Sequence, residues 1–206
     1  MSAQTTRSAS KWLKALEEPS TAPVEAPVVR DTPTGPKRPQ KGVRWESEAG
    51  VPRLPVSGPA PAVWVMGAHG GAGESTIAKL LDGAVATDHA WPVREDDGGP
   101  DQVLMVCRSN AAGLRAAQRA AIEFNAASAG LPGSLAGLVV MADAPGRLPK
   151  PLATQMRLVA GAVPHLWFMP WVEAWRTSTD LDAAALPSAA RSVLEKIQLH
   201  TAVGDH

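Results

Sequence analysis

The stretch that decides the fold runs from Ala62 to Leu81 and reads AVWVMGAHGGAGESTIAKLL. Its first five residues form a continuous apolar run, which is typical of a strand buried on both faces. A glycine-rich segment follows, and a predicted helix then runs from Ser75 to Leu81, with Gly83 just beyond its end. This order of strand, turn and helix predicts a glycine-rich loop at the carboxyl end of a buried strand.

The rest of the chain repeats the alternation of strand and helix. Apolar runs predict buried strands at 102–107, 135–142 and 164–169, and the poorly patterned 84–101 predicts a loop or an irregular edge strand. Helices are predicted at 111–127, 150–160 and 189–199. Solid apolar strands separated by helices predict an α/β domain at 61–200, a reduced parallel sheet with helices on both faces, and a disordered C-terminus at 201–206.

The first 60 residues differ in composition from the rest. Ten of the 19 prolines lie between Pro19 and Pro61, and proline at this density removes backbone donors and disfavours helix. Residues 1–60 are therefore predicted to be disordered, with a possible short helix at 10–18. That helix is either a docking peptide that folds on a partner or a residual turn.

Charge and cysteine content limit the possible functions. Lys and Arg number 20 against 20 Asp and Glu, which argues against a bulk nucleic-acid binder. Through Pro61, nine basic and six acidic residues give a net charge of +3, so nucleic-acid binding through this basic tail would be weak at most. One cysteine, Cys107, allows no intrachain disulfide. No stretch reaches the ~20 apolar residues of a membrane span, and no signal peptide is evident, so a cytoplasmic location is expected.

The glycine-rich loop has the chemistry of a phosphate cradle. Such a cradle needs a loop that points successive backbone N–H groups inward and a helix N-terminus beside it. Gly70, Gly71 and Gly73 supply a permissive backbone, and Ser75 supplies a hydroxyl where a magnesium ligand is needed.

The stretch WVMGAHGGAGESTIAKLL resembles the deviant Walker A segment of the ParA/MinD partition-type ATPases, a P-loop family. VLMVCRSNAAGLRAAQRAA, LAGLVVMADAPGRLP and VPHLWFMPWV are similar, more loosely, to later strands of that family. More narrowly, AHGGAGEST, ADAPGRLPKPL and PWVEAWR resemble an uncharacterised group of partition-ATPase-like proteins from high-GC Gram-positive bacteria and their mobile elements.

The resemblance implies a site. On the family motif, His69 lies at the signature lysine and Glu74 at the catalytic, phosphate-binding lysine. Asp143 aligns either with a Walker B aspartate or with a base-reading position, and Ser75 and Asp143 are the implied magnesium ligands. ATP and Mg²⁺ are expected only if the loop is still competent. The implied nucleotide-binding residues are His69, Gly70, Gly71, Ala72, Gly73, Glu74, Ser75, Thr76, Asp143 and Arg147.

The departures from the family bear on function. Only residues 84–101 are available for the family's first switch and the strand after it, so at least one strand is expected to be missing. Asp88 could stand in for a switch residue. Glutamate at position 74 replaces an attraction for phosphate by a repulsion, and it can instead occupy the anion site itself, at the positive end of the helix dipole. Otherwise His69 becomes protonated, or Lys79, Arg108 or Arg147 reaches into the loop.

Other side chains allow two interpretations. Trp167, Trp171 and Trp175 either pack in the core or form a partner-binding patch with Arg176 at its rim. Arg147 and Lys150 lie in a turn and could bind an anion, or could simply be solvated.

Three hypotheses follow from the sequence. The first is a ParA/MinD-like domain that has lost ATP hydrolysis and acts as an adaptor or regulatory partner in plasmid partition, DNA transfer or secretion. The second is an active ATPase with a rebuilt phosphate site, cycling between monomer and homodimer. The third is a structural protein without a ligand. A protein partner is expected under the first.

Overall fold

The structure, a computed structural model, describes residues 35–38, 50–96, 101–126, 131, 133–178, 181 and 186–202. Its strands are β1 (Arg53–Val56), β2 (Val63–Gly67), β3 (Ala84–Ala86), β4 (Trp91–Arg94), β5 (Gln102–Arg108), β6 (Ser134–Met141) and β7 (Leu166–Met169). Its helices are α1 (Glu74–Leu80), α2 (Ala111–Asn125), α3 (Lys150–Ala160), α4 (Ala174–Thr177) and α5 (Ser188–Ala202).

Five strands form one parallel sheet in the order β3-β2-β5-β6-β7. The chain passes from β2 outward to β3, returns to the other side of β2 at β5, and then continues outward to β7. The direction of winding therefore reverses between β2 and β5, and ligands of open parallel sheets bind at such a reversal, beyond the carboxyl ends of the strands. The glycine-rich loop follows β2 at this point.

Helices cover both faces of the sheet, as the solid apolar strands predict. On one face α1 and α5 bury Ile77, Val193 and Ile197 against β2, β6 and β7. On the other face α2 and α3 bury Phe124 and Val159 against β5 and β6. The predicted α/β class, a parallel sheet between helical layers, is confirmed.

The ordered domain begins earlier than the sequence predicted. β1 lies within the segment 1–60 that was expected to be disordered, and it pairs in parallel with β4 as a separate two-stranded sheet. The buried carboxylate of Glu123 on α2 accepts a hydrogen bond from the backbone N–H of Val51 at 2.9 Å and forms an ion pair with Arg53 at 2.7 Å. These contacts bind residues 50–56 to α2, so the prediction of disorder is wrong there.

Smaller differences concern the other boundaries. The helix α5 continues to Ala202, so 201 and 202 are not disordered. The segment 84–101 contains the edge strand β3 and also β4, which the sequence did not predict. The possible helix at 10–18 lies outside the described residues. Among the described residues, no helix has both the length and the apolar character that crossing a bilayer requires.

Candidate functional site

The loop between β2 and α1 takes its shape from two glycines. Gly71 has φ 72° and Gly73 has φ 101°, both in the left-handed region that favours glycine. Gly73 is the N-cap of α1, and a Cβ there would lie 3.2 Å from the side chain of Met141. Between them Ala72 is fully buried and donates its N–H to the carbonyl oxygen of His69 at 3.2 Å. The residues of the predicted phosphate loop therefore form a compact turn over the end of β2.

Glu74, the first residue of α1, is buried, with a relative exposure of 4%. Its Oε1 accepts a hydrogen bond from the backbone N–H of Thr87 at 2.7 Å, and its Oε2 accepts one from the backbone N–H of His89 at 3.2 Å. The imidazole Nδ1 of His89 lies 2.8 Å from the same Oε2. The carboxylate is thus directed to the turn after β3, and three nitrogen atoms surround it.

The turn that receives Glu74 has an uncommon backbone. Asp88 has φ 52° and His89 has φ 62°, and Ala90 closes the turn by donating its N–H to the carbonyl oxygen of Thr87 at 3.2 Å. Positive φ at both central residues defines a type I′ turn, which non-glycine residues adopt at some cost. The contacts with Glu74 stabilise this conformation.

His89 also contacts the glycine-rich loop directly. A Cβ built on Gly67 would lie 2.5 Å from Nδ1 of His89 and 2.7 Å from Oε2 of Glu74, and His89 Nε2 is the nearest group to a Cβ on Gly70, at 3.9 Å. The imidazole therefore lies against the loop, and a side chain at position 67 would displace it or the carboxylate of Glu74. Asp88, the candidate switch residue, is exposed in the same turn.

His69 lies at the signature-lysine position and is fixed by two hydrogen bonds. Its Nε2 accepts the backbone N–H of Arg108 at 3.1 Å, and its Nδ1 lies 2.8 Å from the carbonyl oxygen of Gly70. In this pattern Nδ1 is the donor of the ring and Nε2 is its acceptor.

Arg108, at the end of β5, is the basic side chain that reaches the loop. Its Nε donates to the carbonyl oxygen of Gly71 at 3.0 Å, and one terminal nitrogen donates to the carbonyl oxygen of Ala142 at 3.4 Å. Lys79 and Arg147, the other two candidates, are both exposed. Arg108 therefore connects the loop after β2 with the end of β6.

An open cleft of about 700 Å³ lies at the point where the winding of the sheet reverses. Four of the predicted site residues line it: His69, Gly70, Gly71 and Asp143. The remaining six do not, namely Ala72, Gly73, Glu74, Ser75, Thr76 and Arg147. The structure thus places four predicted site residues in a cleft beside α2 and buries Glu74 outside it, against the turn after β3.

Ser75 and Asp143, the predicted magnesium ligands, are both exposed. Asp143 follows β6, and its backbone N–H donates a hydrogen bond to Oγ of Ser109 at 3.0 Å. In the sheet, β5 separates β6, the strand that precedes Asp143, from β2. Within the described part of the chain, no group of three or more His, Cys, Asp or Glu residues could hold a metal ion.

Sequence reasoning missed three residues of this region. Thr87 and His89 bind Glu74 through backbone N–H groups, and no side-chain pattern signals such a contact. Arg119 lines the cleft from α2. Its spacing of seven from Ala112, also in the cleft, is a helical signal that could have identified it once α2 was assigned.

Comparison with known proteins identifies a family for the chain. No curated protein matches the chain, and no solved structure matches it. One family model covers residues 61–194, more than half of the chain. The chain therefore belongs to DUF6668, a family of unknown function.

Proposed function

We propose that this protein is a ParA/MinD-like binding module that does not hydrolyse ATP and acts in the cytoplasm as an adaptor or regulatory partner. One observation carries the proposal: the carboxylate of Glu74, at the position of the phosphate-binding lysine, is buried and held by Thr87 and His89. The glycine-rich loop keeps its turn, but its charged residue is part of the fold.

The electrostatic consequence is large. A unit-charge pair about 4 Å apart contributes roughly 4 kcal/mol at an effective dielectric of about 20. Changing a lysine to a glutamate reverses the sign of that contribution for each nearby phosphate charge. A backbone hydrogen bond to a charged group contributes only about 1.5–3 kcal/mol, so the loop N–H groups do not compensate for the reversal.

Glu74 cannot leave its position without cost. Rotation of its side chain would remove the acceptor of the His89 N–H and separate the carboxylate from the imidazole 2.8 Å away. A buried donor without a partner costs about 1–3 kcal/mol. The contacts that hold the Glu74 carboxylate in the fold therefore also keep its negative charge at the loop, where it opposes phosphate binding.

A second candidate function, an ATPase with a rebuilt phosphate site, is favoured by Arg108. Its guanidinium group lies at the loop and could supply the missing positive charge. However, its Nε is bonded to a loop carbonyl oxygen, and the cleft that it lines does not include Ser75. We therefore rank this function second.

Steady-state ATP hydrolysis by the purified full chain with Mg²⁺ separates the two. The proposal predicts the same phosphate release from the wild type and from Ser75→Ala, at the level of the buffer. Turnover by the wild type that Ser75→Ala abolishes would refute the proposal and support the rebuilt ATPase.

The adaptor role predicts that partner binding does not depend on nucleotide. Affinity capture with the full chain should recover the same proteins with and without ATP and Mg²⁺. A partner that is captured only with nucleotide would contradict this role, and a chain that captures no specific partner would favour the structural protein.

A further inference from the structure

We propose that the cleft beside α2 binds a small molecule that carries at least two acidic groups, either phosphates or carboxylates. The cleft does not include Glu74, which is buried against the turn after β3. The inference does not rest on the proposed loss of ATP hydrolysis. The cleft has a volume of about 700 Å³, which is in the range typical of small-molecule sites.

The charges that line the cleft are mainly positive. Arg108, Arg119 and Arg176 contribute three guanidinium groups, and Asp143 contributes one carboxylate. Within the part of the chain that the structure describes, none of these three arginines forms an ion pair. Their charge is thus not neutralised by a neighbouring carboxylate of the described structure, and it is available to a ligand.

Arg108 is held in position before any ligand binds. Its bonds to the carbonyl oxygens of Gly71 and Ala142 use Nε and one terminal nitrogen. The other terminal nitrogen has two further N–H donors. A guanidinium that is already ordered loses less entropy when it binds a phosphate or carboxylate, and its planar geometry suits both groups.

One face of α2 forms the floor of the cleft. Ala112, Ala116 and Arg119 line it at helical spacing, and the small side chains of the first two, with Gly113, leave room above the helix. The 15-residue helix begins in the cleft, where Asn110 caps it by accepting the N–H of Gly113 at 2.8 Å. The positive end of the helix dipole adds to the attraction for an anion.

The opposite wall explains why two acidic groups are expected. Arg176 follows β7 and lies over the ring of Trp171, 5.6 Å from its centroid, whereas Arg108 is the last residue of β5. Two guanidinium groups contributed to one cleft by separate strand ends, that of the central β5 and the segment after the edge strand β7, suit two acidic groups on one ligand. Asp143 repels an anion and can accept a hydrogen bond, so it favours a hydroxyl or amino group of the ligand nearby.

Calorimetric titration of the full chain at low ionic strength tests the site, with pyrophosphate and citrate as separate probes. The test variant is Arg119→Glu, and the control is Arg115→Glu, which makes the same charge change at an exposed position of the same helix outside the cleft. We expect Arg119→Glu to weaken binding about tenfold or more, and Arg115→Glu to change it by less than about twofold. Circular dichroism confirms that both variants are folded.

Each outcome decides the proposal. Binding of pyrophosphate with this pattern supports a phosphate ligand, and binding of citrate with this pattern supports a carboxylate ligand. If neither probe binds, or if both variants weaken binding equally, the proposal is overturned. Neither result changes the ATP hydrolysis assay with Ser75→Ala, so the two proposals fail independently.

Discussion

Glu74 is bound by backbone N–H groups, so its removal should lower stability in a way that an exposed glutamate does not share. In Glu74→Ala the N–H of His89 loses its acceptor, while the N–H of Thr87 keeps the carbonyl oxygen of Val65 at 3.0 Å. We expect the free energy of unfolding to fall by about 2 kcal/mol, measured by urea denaturation.

The matched control for this prediction is Glu195→Ala on α5, where the glutamate is exposed. It should change the unfolding free energy by no more than about 0.5 kcal/mol. Equal losses in the two variants would mean that the contacts of Glu74 contribute nothing specific.

Gly113 is required by close packing at the start of α2. A Cβ there would clash with the carbonyl oxygen of Arg108 and would lie 2.8 Å from Nε2 of His69. Gly113→Ala should therefore destabilise the fold by about 1–3 kcal/mol, measured by thermal or urea unfolding. Gly161→Ala is the control because Gly161 has helical φ and its nearest neighbour would be 3.5 Å away. A loss of stability at 161 as large as at 113 would contradict this account.

Cys107 is fully buried in β5, and burial raises the pKa of its thiol to about 12, from an ordinary value of 9.0. The thiol is therefore neutral at pH 8. We expect no reaction with a thiol-specific reagent in the folded protein at that pH and full reaction after denaturation. Because the folded pKa is raised, this thiol's contribution to stability is present below pH 9.0 and is lost as the pH rises through about 12. Rapid labelling of the folded protein would contradict this assignment.

At the scale of elements, β1 is the feature to test because the predicted domain began after it. A chain starting at Pro61 lacks Arg53 and the N–H of Val51, which leaves the buried carboxylate of Glu123 without these two contacts. A chain starting at Gly50 keeps both. We expect the shorter chain to unfold with about 1–3 kcal/mol less free energy, since a buried polar group that loses a hydrogen-bond partner costs about that much. Equal stability of the two chains would show that β1 is not part of the cooperative unit.

Sequence patterns predicted the solidly apolar strands and the longer helices, and they missed the short strands that contain proline. The predicted helix 150–160 has the observed bounds of α3. β1 and β4 were missed because Pro55 and Pro92 lie within them. A proline removes a ladder donor, but among the described residues both strands of this two-stranded sheet are edge strands, which tolerate the loss.

At the scale of the whole molecule, the sequence predicted that the site residues lie at the carboxyl edge of the sheet. It did not predict that some line the cleft while Glu74 is buried against the turn after β3. The parallel order brings the ends of β2, β5 and β6 together, and it accounts for His69, Arg108 and Asp143 in one cleft. The direction of Glu74 could not be predicted, because it depends on a turn with positive φ at Asp88 and His89. Neither residue is a glycine, so Asp88 and His89 give only a weak sequence signal of that turn.

The central claim is that Glu74, bound to the turn after β3, prevents the loop from holding a triphosphate. Calorimetric titration with ATP, in the presence and absence of Mg²⁺, tests it most directly when the wild type, Ser75→Ala and Glu74→Lys are compared. We predict that the wild type and Ser75→Ala give identical curves without Mg²⁺-dependent binding, and that Glu74→Lys gains such binding if the loop can still form a cradle. Mg²⁺-dependent binding of ATP to the wild type that Ser75→Ala removes would contradict the account.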